Sequence, residues 1–534
     1  MLVLAVSLLL ATVANINFWT TFVEAAGGVS LARLPLFAGS FTIIVLFFHA
    51  LLTLFSFRFV LKPTLVLILL TAAMSAWFIN QYGIVIDKAM IQNVFETDTR
   101  EAAELLNGRL VLFIILTGGL PAMLLIRARI DFPTGVRGMM RRAGIAAGSL
   151  ALAALLLILL FKSLAPIVRE HRELRYLLTP TNTFQALNGY VRSKWTKPVP
   201  LTRLGTDASK GQRWAGQSRR TVTVIVVGET ARASNFSLNG YARQTNPRLS
   251  QVPGLINFSN VQSCGTATAV SLPCVFSVME RERYDEAKAR HQEGLLDVLS
   301  HAGFEVVWLD NNSGCKGVCD RVKSVDLSSP GAGNPHCSGQ ECYDEGLLAP
   351  LPDLIRRSGK DLVIILHQKG SHGPAYAKRY PQGFGRFGPA CDTVELERCA
   401  RDSIVAAYDN TILYTDHVLG ETINLLRKAE QEEGVDTAML YFSDHGESLG
   451  EGNMYLHGAP YFLAPRQQTH VPMILWMSEG FGERFRLEPT CLQARKDQAL
   501  SHDNIFHSVL GMLDVDTAVL NPKLDIFHAC IRNG

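Results

Sequence analysis

The chain has 534 residues, of which 48% are hydrophobic, and a formal net charge of +3. That length is enough for more than one domain, and the slightly positive mean hydropathy is unusual for a soluble protein. The hydrophobicity is local, because residues 1–163 hold nearly all the long apolar runs while the sequence from about 200 onward is charged and punctuated by Gly and Pro.

Five apolar runs in the N-terminal part are long enough to cross a hydrocarbon core of roughly 30 Å, which takes about 20 residues of helix. They lie near 2–24, 35–59, 62–80, 109–129 and 143–163. A cleavable signal peptide would be one short run, whereas here further runs follow at once, so we predict a transmembrane domain with five helices. The chain begins with almost no lead before the first run, which an alternative start or a truncation would explain.

The distribution of basic residues predicts the orientation of this domain, because short cytoplasmic loops are enriched in Arg and Lys. The loop between the fourth and fifth runs carries Arg127, Arg129, Arg137, Arg141 and Arg142. We therefore expect this loop and the 58–62 turn to be cytoplasmic. The 81–108 loop and everything after residue 163 are then expected outside.

Residues 164–200 read as a connector, in which three arginines recur at three-residue spacing: Arg169, Arg172 and Arg175. That spacing suits an amphipathic helix lying on a membrane surface, with its cations toward lipid phosphates and Trp195 near the interface. A solvated helical linker would show the same spacing, and the sequence does not separate the two interpretations.

All ten cysteines fall in the part expected outside: Cys264, Cys274, Cys315, Cys319, Cys337, Cys342, Cys391, Cys399, Cys491 and Cys530. An even number of cysteines confined to an exported domain favours disulfides. The simplest pairing joins neighbours, at 264/274, 315/319, 337/342 and 391/399, and leaves 491 with 530, although sequence alone does not fix the connectivity. A metal site at CKGVC is the weaker alternative, since no second pair follows at zinc-ribbon spacing.

The exterior part alternates short β-rich apolar runs with helical patterns. The runs TVTVIVV (221–227), FEVVWLD (304–310), DLVIILH (361–367), TAMLYFS (437–443) and VPMILW (471–476) predict buried strands, with helices near 292–302, 402–430 and 503–513. This pattern predicts an α/β domain around a largely parallel sheet. In such sheets ligands bind outside the carboxyl ends of the strands.

Carboxylates and histidines follow several of these strands. Glu229 follows the first strand, Asp444 and His445 follow the strand at 437–443, and His372 and His457 lie in nearby glycine-flanked loops. One such residue is more often a helix cap or a surface group. Their convergence on strand ends predicts a zinc site with nitrogen and oxygen ligands.

Six motifs in a single order resemble the lipid A phosphoethanolamine transferases, a family that includes the mobile colistin-resistance enzymes within the alkaline phosphatase and sulfatase-like superfamily. The motifs are VVGETARASNFSLNGY (226–241), SCGTATAVSLPC (263–274), GCKGVCDR (314–321), GSHGP (370–374), SDHGESLGE (443–451) and YLHG (455–458). The resemblance covers nearly the whole chain. It implies a transmembrane domain at 1–163, an interfacial amphipathic linker at 164–200 and a zinc-dependent periplasmic catalytic domain of alkaline-phosphatase-like fold at 201–534.

The resemblance also implies the roles of individual residues. The family's zinc ligands correspond to Glu229, Thr268, Asp444 and His445, and its nucleophile corresponds to Thr268. From spacing alone, Thr266 and Ser271 are equally good candidates for a nucleophilic hydroxyl; a hydroxyl at a helix start would meet a phosphate that faces backbone N–H groups.

The remaining implied roles concern substrate. His372 and His457 correspond to residues that contact the substrate phosphate or a second zinc ion, and Ser313 and Lys316 correspond to a phosphate contact beside the short disulfide loop. In the 81–108 loop the resemblance assigns three residues at four-residue spacing to the donor pocket: Asn93, Thr97 and Glu101. Without the resemblance, an ordinary polar helix face would explain that spacing equally well.

The expected activity is transfer of phosphoethanolamine from phosphatidylethanolamine to a phosphate of lipid A, which lowers surface negative charge and confers resistance to polymyxins. The enzyme is expected as a monomer in a Gram-negative inner membrane, with one tightly bound zinc ion, room for a second, and no nucleic-acid partner. One alternative is a phosphotransferase of the same superfamily that acts on another lipopolysaccharide sugar or a periplasmic glycan. A hydrolase and a membrane-tethered binding protein with structural zinc are further alternatives, and a sulfatase is disfavoured because no Cys-x-Pro-x-Arg signature surrounds Thr268.

Overall fold

The structure, a computed structural model, describes residues 1–96, 103, 105–130, 132, 135–171, 174–194, 200–331, 333–339 and 341–532. It divides into two compact units. The first unit comprises Met1–Val94 and Leu105–Lys194, and the second comprises Phe95–Glu104 and Trp195–Gly534.

The first unit is helical. Its helices are α1 (Leu2–Thr12), α2 (Ile16–Ala25), α3 (Leu34–Leu54), α4 (Leu61–Tyr82), α5 (Lys88–Glu96), α6 (Gly108–Ile114), α7 (Leu120–Arg127), α8 (Gly135–Glu170), α9 (Leu174–Leu177) and α10 (Thr181–Lys194). Within the described residues, five helical stretches are long and apolar enough to cross a membrane: Leu2–Ala25, Leu31–Leu54, Leu61–Tyr82, Gly108–Arg127 and Gly135–Val168. The predicted number of spans is therefore confirmed.

The fifth span is longer than the sequence predicts. Arg137, Arg141 and Arg142, expected in the preceding loop, lie in the first turns of α8. Its other end runs through Pro166 to Glu170, so the first part of the expected connector continues the spanning helix.

The rest of the connector packs inside the first unit instead of forming one surface helix. Leu174, Leu177 and Ala186 are buried in its apolar core. The side-chain amide of Asn15 donates to the Thr179 carbonyl at 2.7 Å and accepts from the Thr179 N–H at 2.8 Å, which ties this segment to the helices. Arg172 and Trp195 lie outside the described residues.

The second unit is built on an eight-stranded sheet. The strands of this unit, in chain order, are β1 (Ser209–Lys210), β2 (Thr221–Gly228), β3 (Ile256–Gln262), β4 (Glu305–Asp310), β5 (Lys323–Asp326), β6 (Cys337–Ser338), β7 (Glu341–Cys342), β8 (Leu362–His367), β9 (Asp436–Ser443), β10 (Ser448–Glu451), β11 (Met454–Leu456), β12 (His470–Met477), β13 (Leu500–Ser501) and β14 (Val515–Asp516). Three pairs form separate two-stranded sheets: β1 with β14, β6 with β7, and β10 with β11. The order across the large sheet is β13-β3-β12-β9-β2-β8-β4-β5.

The sheet is largely parallel, as predicted, with one exception. Strand β12 runs antiparallel to both its neighbours, β3 and β9. Strand β3 was missed by the sequence analysis, and it is the strand that leads into the CGTATAVSLPC segment. The antiparallel β12 has a direct consequence: β3 points the same way as β9, so its carboxyl end reaches the same edge of the sheet.

Helices cover both faces of the sheet. They are α11 (Thr268–Val275), α12 (Glu286–Ala289), α13 (Leu295–His301), α14 (Leu351–Arg357), α15 (Arg401–Glu433), α16 (Arg466–Thr469), α17 (Glu479–Arg484), α18 (Pro489–Ala494) and α19 (Asp503–Met512). Alternate residues of β2 enter opposite cores: Ile225 and Val227 pack in one, and Val224 and Val226 in the other. A strand buried on both faces reads as a continuous apolar run, which is why TVTVIVV shows no alternation.

Candidate active site

The candidate active site lies at the carboxyl edge of the sheet. Strands β2 and β9 are hydrogen-bonded neighbours that end at Gly228 and Ser443, which are paired in register. The next residues, Glu229 and Asp444, therefore leave the sheet side by side, as the strand-end argument predicts.

Of the three hydroxyls between Cys264 and Cys274, the structure places Thr268 at this edge. Thr268 is the first residue of α11, and its Oγ1 donates to Glu229 Oε2 at 2.9 Å and lies 3.3 Å from His445 Nε2. The Thr266 hydroxyl instead donates to the Ala459 carbonyl at 2.6 Å. The Ser271 hydroxyl donates to the backbone carbonyl of Asp444. The geometry thus separates three candidates that spacing leaves equal.

A fully buried cluster of Glu229, Asp444 and His445 surrounds the Thr268 hydroxyl. His445 Nε2 lies 3.2 Å from Glu229 Oε1 and 3.4 Å from Asp444 Oδ2. The other ring nitrogen, Nδ1, is 2.9 Å from the carbonyl oxygen of Gly446, which only accepts, so Nδ1 carries a proton. In the neutral ring, Nε2 then turns its lone pair toward two carboxylate oxygens.

The lone pair of His445 Nε2 and the two carboxylate oxygens repel one another unless a positive charge lies between them. Within the described residues, Glu229 Oε1 and Asp444 Oδ2 are buried without a hydrogen-bond partner, and buried oxygens of this kind are costly. One donor atom from each of Glu229, Asp444 and His445 lies within 4.8 Å of the others. Two carboxylates, an imidazole nitrogen and an adjacent hydroxyl fit a divalent metal ion.

The pKa shifts of these three residues also indicate that the cluster attracts positive charge. Burial and the negative charge of Glu229 raise the pKa of Asp444 to about 6. Although burial opposes it, the neighbouring Asp444 and Glu229 carboxylates raise the pKa of His445 to about 10. In turn His445 holds the pKa of Glu229 below its ordinary value, against the effect of burial. The cluster thus attracts one positive charge, which a proton or a metal ion supplies.

A buried hydrogen-bond network, which the sequence analysis missed, holds the Glu229 side chain in place. Asn312 Nδ2 donates to Glu229 Oε2 at 2.8 Å and lies 3.3 Å from His367 Nε2. His367 Nδ1 lies 3.0 Å from Asp310 Oδ2, which also accepts from the Trp308 indole at 2.7 Å. Despite burial, the Asp310 charge raises the pKa of His367 and the His367 charge lowers that of Asp310.

His502 is a second missed residue. Its Nδ1 accepts from the N–H of Cys264 at 3.1 Å, and its Nε2 lies 3.1 Å from the carbonyl oxygen of Ser443. It therefore joins the segment that carries Thr268 to the end of β9. Burial lowers the pKa of His502 to about 3, so the ring is neutral and its two nitrogens keep distinct donor and acceptor roles.

His372 and His457 lie beside the cluster. The His457 ring centroid lies 4.5 Å from that of His445 and 5.2 Å from that of His372. Glu447, fully buried and also missed as a site residue, lies with Oε2 3.3 Å from His457 Nδ1. Burial holds the pKa of His372 well below its ordinary value.

The other expected site residues fall in different places. The N–H of Ser313 donates to Asn312 Oδ1 at 2.7 Å, and Lys316 Nζ donates to the Ser313 hydroxyl at 3.0 Å, so both adjoin the cluster through Asn312. Asn93 lies in α5. Thr97 and Glu101 lie outside the described residues.

The predicted cysteine pairing is confirmed in full: Cys264–Cys274, Cys315–Cys319, Cys337–Cys342, Cys391–Cys399 and Cys491–Cys530 are disulfides. The alternative of a metal site at CKGVC is therefore wrong, because its two thiols are used in a bond to each other. His470, in contrast to the cluster histidines, lies with Nε2 2.8 Å from the carbonyl oxygen of Ser259 and supports the sheet.

Comparisons with known proteins agree with this geometry. A family model described as Sulfatase matches residues 221–515, and one described as Phosphoethanolamine transferase EptA/EptB matches residues 44–195. The chain is 40% identical to phosphoethanolamine transferase EptA of Escherichia coli K12 over 520 residues, covering 97% of this chain and 94% of that protein. It is 39% identical to the phosphatidylethanolamine transferase Mcr-1 of Escherichia coli over 487 residues, covering 89% of this chain and 88% of that protein.

Among solved structures, the chain is similar to the integral membrane lipooligosaccharide phosphoethanolamine transferase A of Neisseria meningitidis, with a TM-score of 0.95 and 36% identity over 100% of this chain and 99% of that one. The predicted fold class is thereby confirmed, including its alkaline-phosphatase-like catalytic part. The chain belongs to the phosphoethanolamine transferases of the alkaline phosphatase and sulfatase-like superfamily.

Proposed function

We propose that this protein transfers phosphoethanolamine from phosphatidylethanolamine to a phosphate of lipid A through a covalent intermediate on Thr268. The observation that carries the proposal is the Thr268 hydroxyl at the start of a helix, 2.9 Å from Glu229 and 3.3 Å from His445 in a buried acidic cluster. Membership of the phosphoethanolamine transferase family supports the same substrate chemistry.

In the first half-reaction, Thr268 Oγ1 forms a bond to the phosphorus of the donor as the bond from phosphorus to the diacylglycerol oxygen breaks. Glu229 Oε2 accepts the hydrogen bond of the hydroxyl and so orients the attacking oxygen. The backbone N–H groups at the start of α11 face the phosphate and favour its negative charge. The proton of the Thr268 hydroxyl passes to its hydrogen-bond acceptor, Glu229 Oε2. His372 or His457, in its protonated form, delivers a proton to the leaving diacylglycerol oxygen.

In the second half-reaction, an oxygen of the lipid A phosphate bonds to phosphorus and the bond to Thr268 Oγ1 breaks. Glu229 returns the proton to Thr268, and the proton lost by the attacking phosphate hydroxyl restores the histidine. The acceptor leaves with a phosphoethanolamine group joined to its phosphate. The product carries an ammonium group beside an anionic phosphate, so cationic peptides such as polymyxins should bind the modified surface less strongly.

The metal ion of this site is proposed to be zinc, held by Glu229, Thr268, Asp444 and His445, with room for a second ion near His372 and His457. A bound zinc ion lowers the pKa of a coordinated hydroxyl and stabilises charge on phosphoryl oxygens. The chain's own part is to place these four donors in a buried pocket, with Asn312 and His367 supporting Glu229 from behind.

Substrate contacts and location complete the proposal. Asn93, Thr97 and Glu101 would bind the donor, with the Glu101 carboxylate pairing with the ethanolamine ammonium, and Ser313 and Lys316 would contact the phosphate.

Since the chain is a multi-pass membrane protein by its five apolar helices, we place it in the inner membrane of a Gram-negative bacterium, as a monomer with its catalytic domain in the periplasm. Residues 1–163, 164–200 and 201–534 remain our proposed division into transmembrane domain, linker and catalytic domain.

Mass spectrometry of lipid A from cells with and without the gene tests the proposal. We expect a mass increase of one phosphoethanolamine group with the wild type, none with Thr268→Ala, and nearly the wild-type level with Thr266→Ala, because that hydroxyl points to the Ala459 carbonyl. Full modification by Thr268→Ala would refute the nucleophile. Modification of a core sugar in place of lipid A, or release of free phosphoethanolamine without an acceptor, would refute the proposed acceptor.

A further inference from the structure

An arginine-lined cleft lies at the edge of the sheet opposite the candidate active site. Its charged lining residues are Arg213, Arg219, Arg484, Arg486, Asp436 and Glu483, and it encloses about 420 Å³. Asp436 is the first residue of β9, whose far end precedes Asp444. At about 3.3 Å per strand residue, the cleft lies roughly 25 Å from the metal cluster, so the two sites are separate.

The acidic residues of the cleft do not balance its arginines. Asp436 is shared, because Arg219 Nε lies 3.2 Å from one of its oxygens and Arg484 Nη2 lies 2.8 Å from the other. Arg213 is held by Asp514 at 2.7 Å and by the Phe485 carbonyl. An excess of positive charge remains around the cavity, and a cavity with low-dielectric walls strengthens its attraction for an anion.

Arg484 supplies an independent indication of a ligand. Its side chain is only 2% exposed, and Nη2 is occupied by Asp436 and by the backbone carbonyl of Arg219. Its Nε and Nη1 atoms are buried and meet no hydrogen-bond acceptor in the described part of the chain. Buried guanidinium donors of this kind are costly when unmet, and either of them can donate a charge-assisted hydrogen bond to a phosphate oxygen.

Arg486 stands at the open side of the same cleft. It is exposed, and its backbone has a positive φ of 54°. That conformation is fixed from both sides, since its N–H donates to the Glu483 carbonyl and its carbonyl accepts from the Arg532 N–H. The backbone therefore holds an exposed cation at the entrance while Arg484 lies in the wall.

We propose that this arginine cleft is a second anion-binding site that takes a phosphate monoester group. One oxygen of the phosphate would accept from Arg484, and the remaining negative charge would be met by Arg486 and Arg219. The group comes either from a phosphorylated sugar of a glycolipid or from inorganic phosphate. The proposal is independent of the transfer reaction, because none of these residues adjoins Thr268 or its cluster.

Calorimetric titration of the full-length protein in detergent micelles tests it, with inorganic phosphate and glucosamine 1-phosphate as the probes. Binding at the metal cluster is removed first by using the His445→Ala background. In that background, adding Arg486→Glu should raise the Kd at least about tenfold, as expected for losing one charged contact. Arg357→Glu, at an exposed arginine on α14 that does not line the cleft, is the matched control and should leave the Kd unchanged.

The transfer rate, the Tm and the Kd of further variants distinguish this site from the active site. On its own, Arg486→Glu should leave the rate of phosphoethanolamine transfer at the wild-type value, which separates this site from the active site. Arg484→Met should abolish binding, and because it alters a buried ion pair, its folding is checked by Tm. Tighter binding of the sugar phosphate would support a glycolipid as the source, and equal binding of both probes would support inorganic phosphate. An unchanged Kd in Arg486→Glu, or no binding of either probe in His445→Ala, would overturn the proposal.

Discussion

The buried pair of Asp310 and His367 offers a quantitative test of how the site is supported. His367→Leu removes the partner of a carboxylate whose side chain is 7% exposed, while the histidine itself is 0% exposed and the two lie 3.0 Å apart. Breaking a buried ion pair by removing one partner costs about 3–5 kcal/mol. For a domain of this size, that loss corresponds to a fall in Tm of about 4–7 °C.

The same substitution should also weaken the proposed metal site. His367 Nε2 contacts Asn312, and Asn312 donates to Glu229. Loss of a residue that orients a metal ligand typically costs about 10–100-fold in metal affinity. We therefore expect His367→Leu to lower both Tm, measured by scanning fluorimetry of the full-length protein in detergent, and zinc affinity, measured by competition with a chelating dye.

A double-mutant cycle and a control complete the experiment. Asp310→Asn with His367→Leu should cost less than the sum of the two single changes, because the double variant leaves no unpaired buried charge. Asp297→Asn breaks another partly buried pair, with Arg321 at 2.7 Å, and should lower Tm without changing zinc affinity. Additive losses of Tm, or a zinc affinity in His367→Leu equal to that of the wild type, would refute the reasoning.

Three further predictions follow from the site and the core. His445→Ala should lower zinc content and activity together, since it removes a proposed zinc ligand. His372→Ala should slow turnover with the zinc retained, and metal analysis alongside an activity assay distinguishes the two. Glu101→Gln should slow transfer from phosphatidylethanolamine about 10–100-fold through loss of a charged hydrogen bond, and an unchanged rate would mean that this residue does not bind the donor. Burial raises the pKa of Asp525 from its ordinary 3.8 to about 7, so the contribution of this residue to stability falls as the pH rises through that range. The Tm of Asp525→Asn relative to that of the wild type should therefore rise from pH 4 to pH 7. A difference in Tm that does not change with pH would contradict the assigned cause.

Strand ends could be located from sequence because β2, β8 and β9 are buried on both faces and read as unbroken apolar runs. That is why the sequence predicts Glu229, Asp444 and His445 at the carboxyl ends of strands. Strand β3 was missed because its sequence, INFSNVQ, mixes polar and apolar residues. Only part of this strand is buried, so its pattern resembles that of a loop. The choice of Thr268 over its neighbouring hydroxyls needed either the family resemblance or the geometry.

The supporting network was missed for a different reason. Asp310 and His367 were both visible as the last residues of predicted strands, but their contact depends on β4 and β8 being neighbours in the register that pairs these two positions. A single sequence does not specify which strands pair or in what register, since any two buried apolar runs are compatible. His502 likewise depends on long-range packing, with a partner 59 residues away. Glu447 depends on the pairing of β10 with β11, which brings it beside His457, 10 residues further along the chain.

The disulfides have a consequence for how the domain matures. Each bridge joins a cysteine to the next one along the chain, with separations of 10, 4, 5, 8 and 39 residues. Short loops close at low entropic cost, so each thiol meets its native partner more often than any other. A chain that enters an oxidising compartment from its N-terminus would expose the members of each pair in succession. Oxidation in order of emergence therefore yields the native bridges, and little reshuffling by an isomerase should be needed.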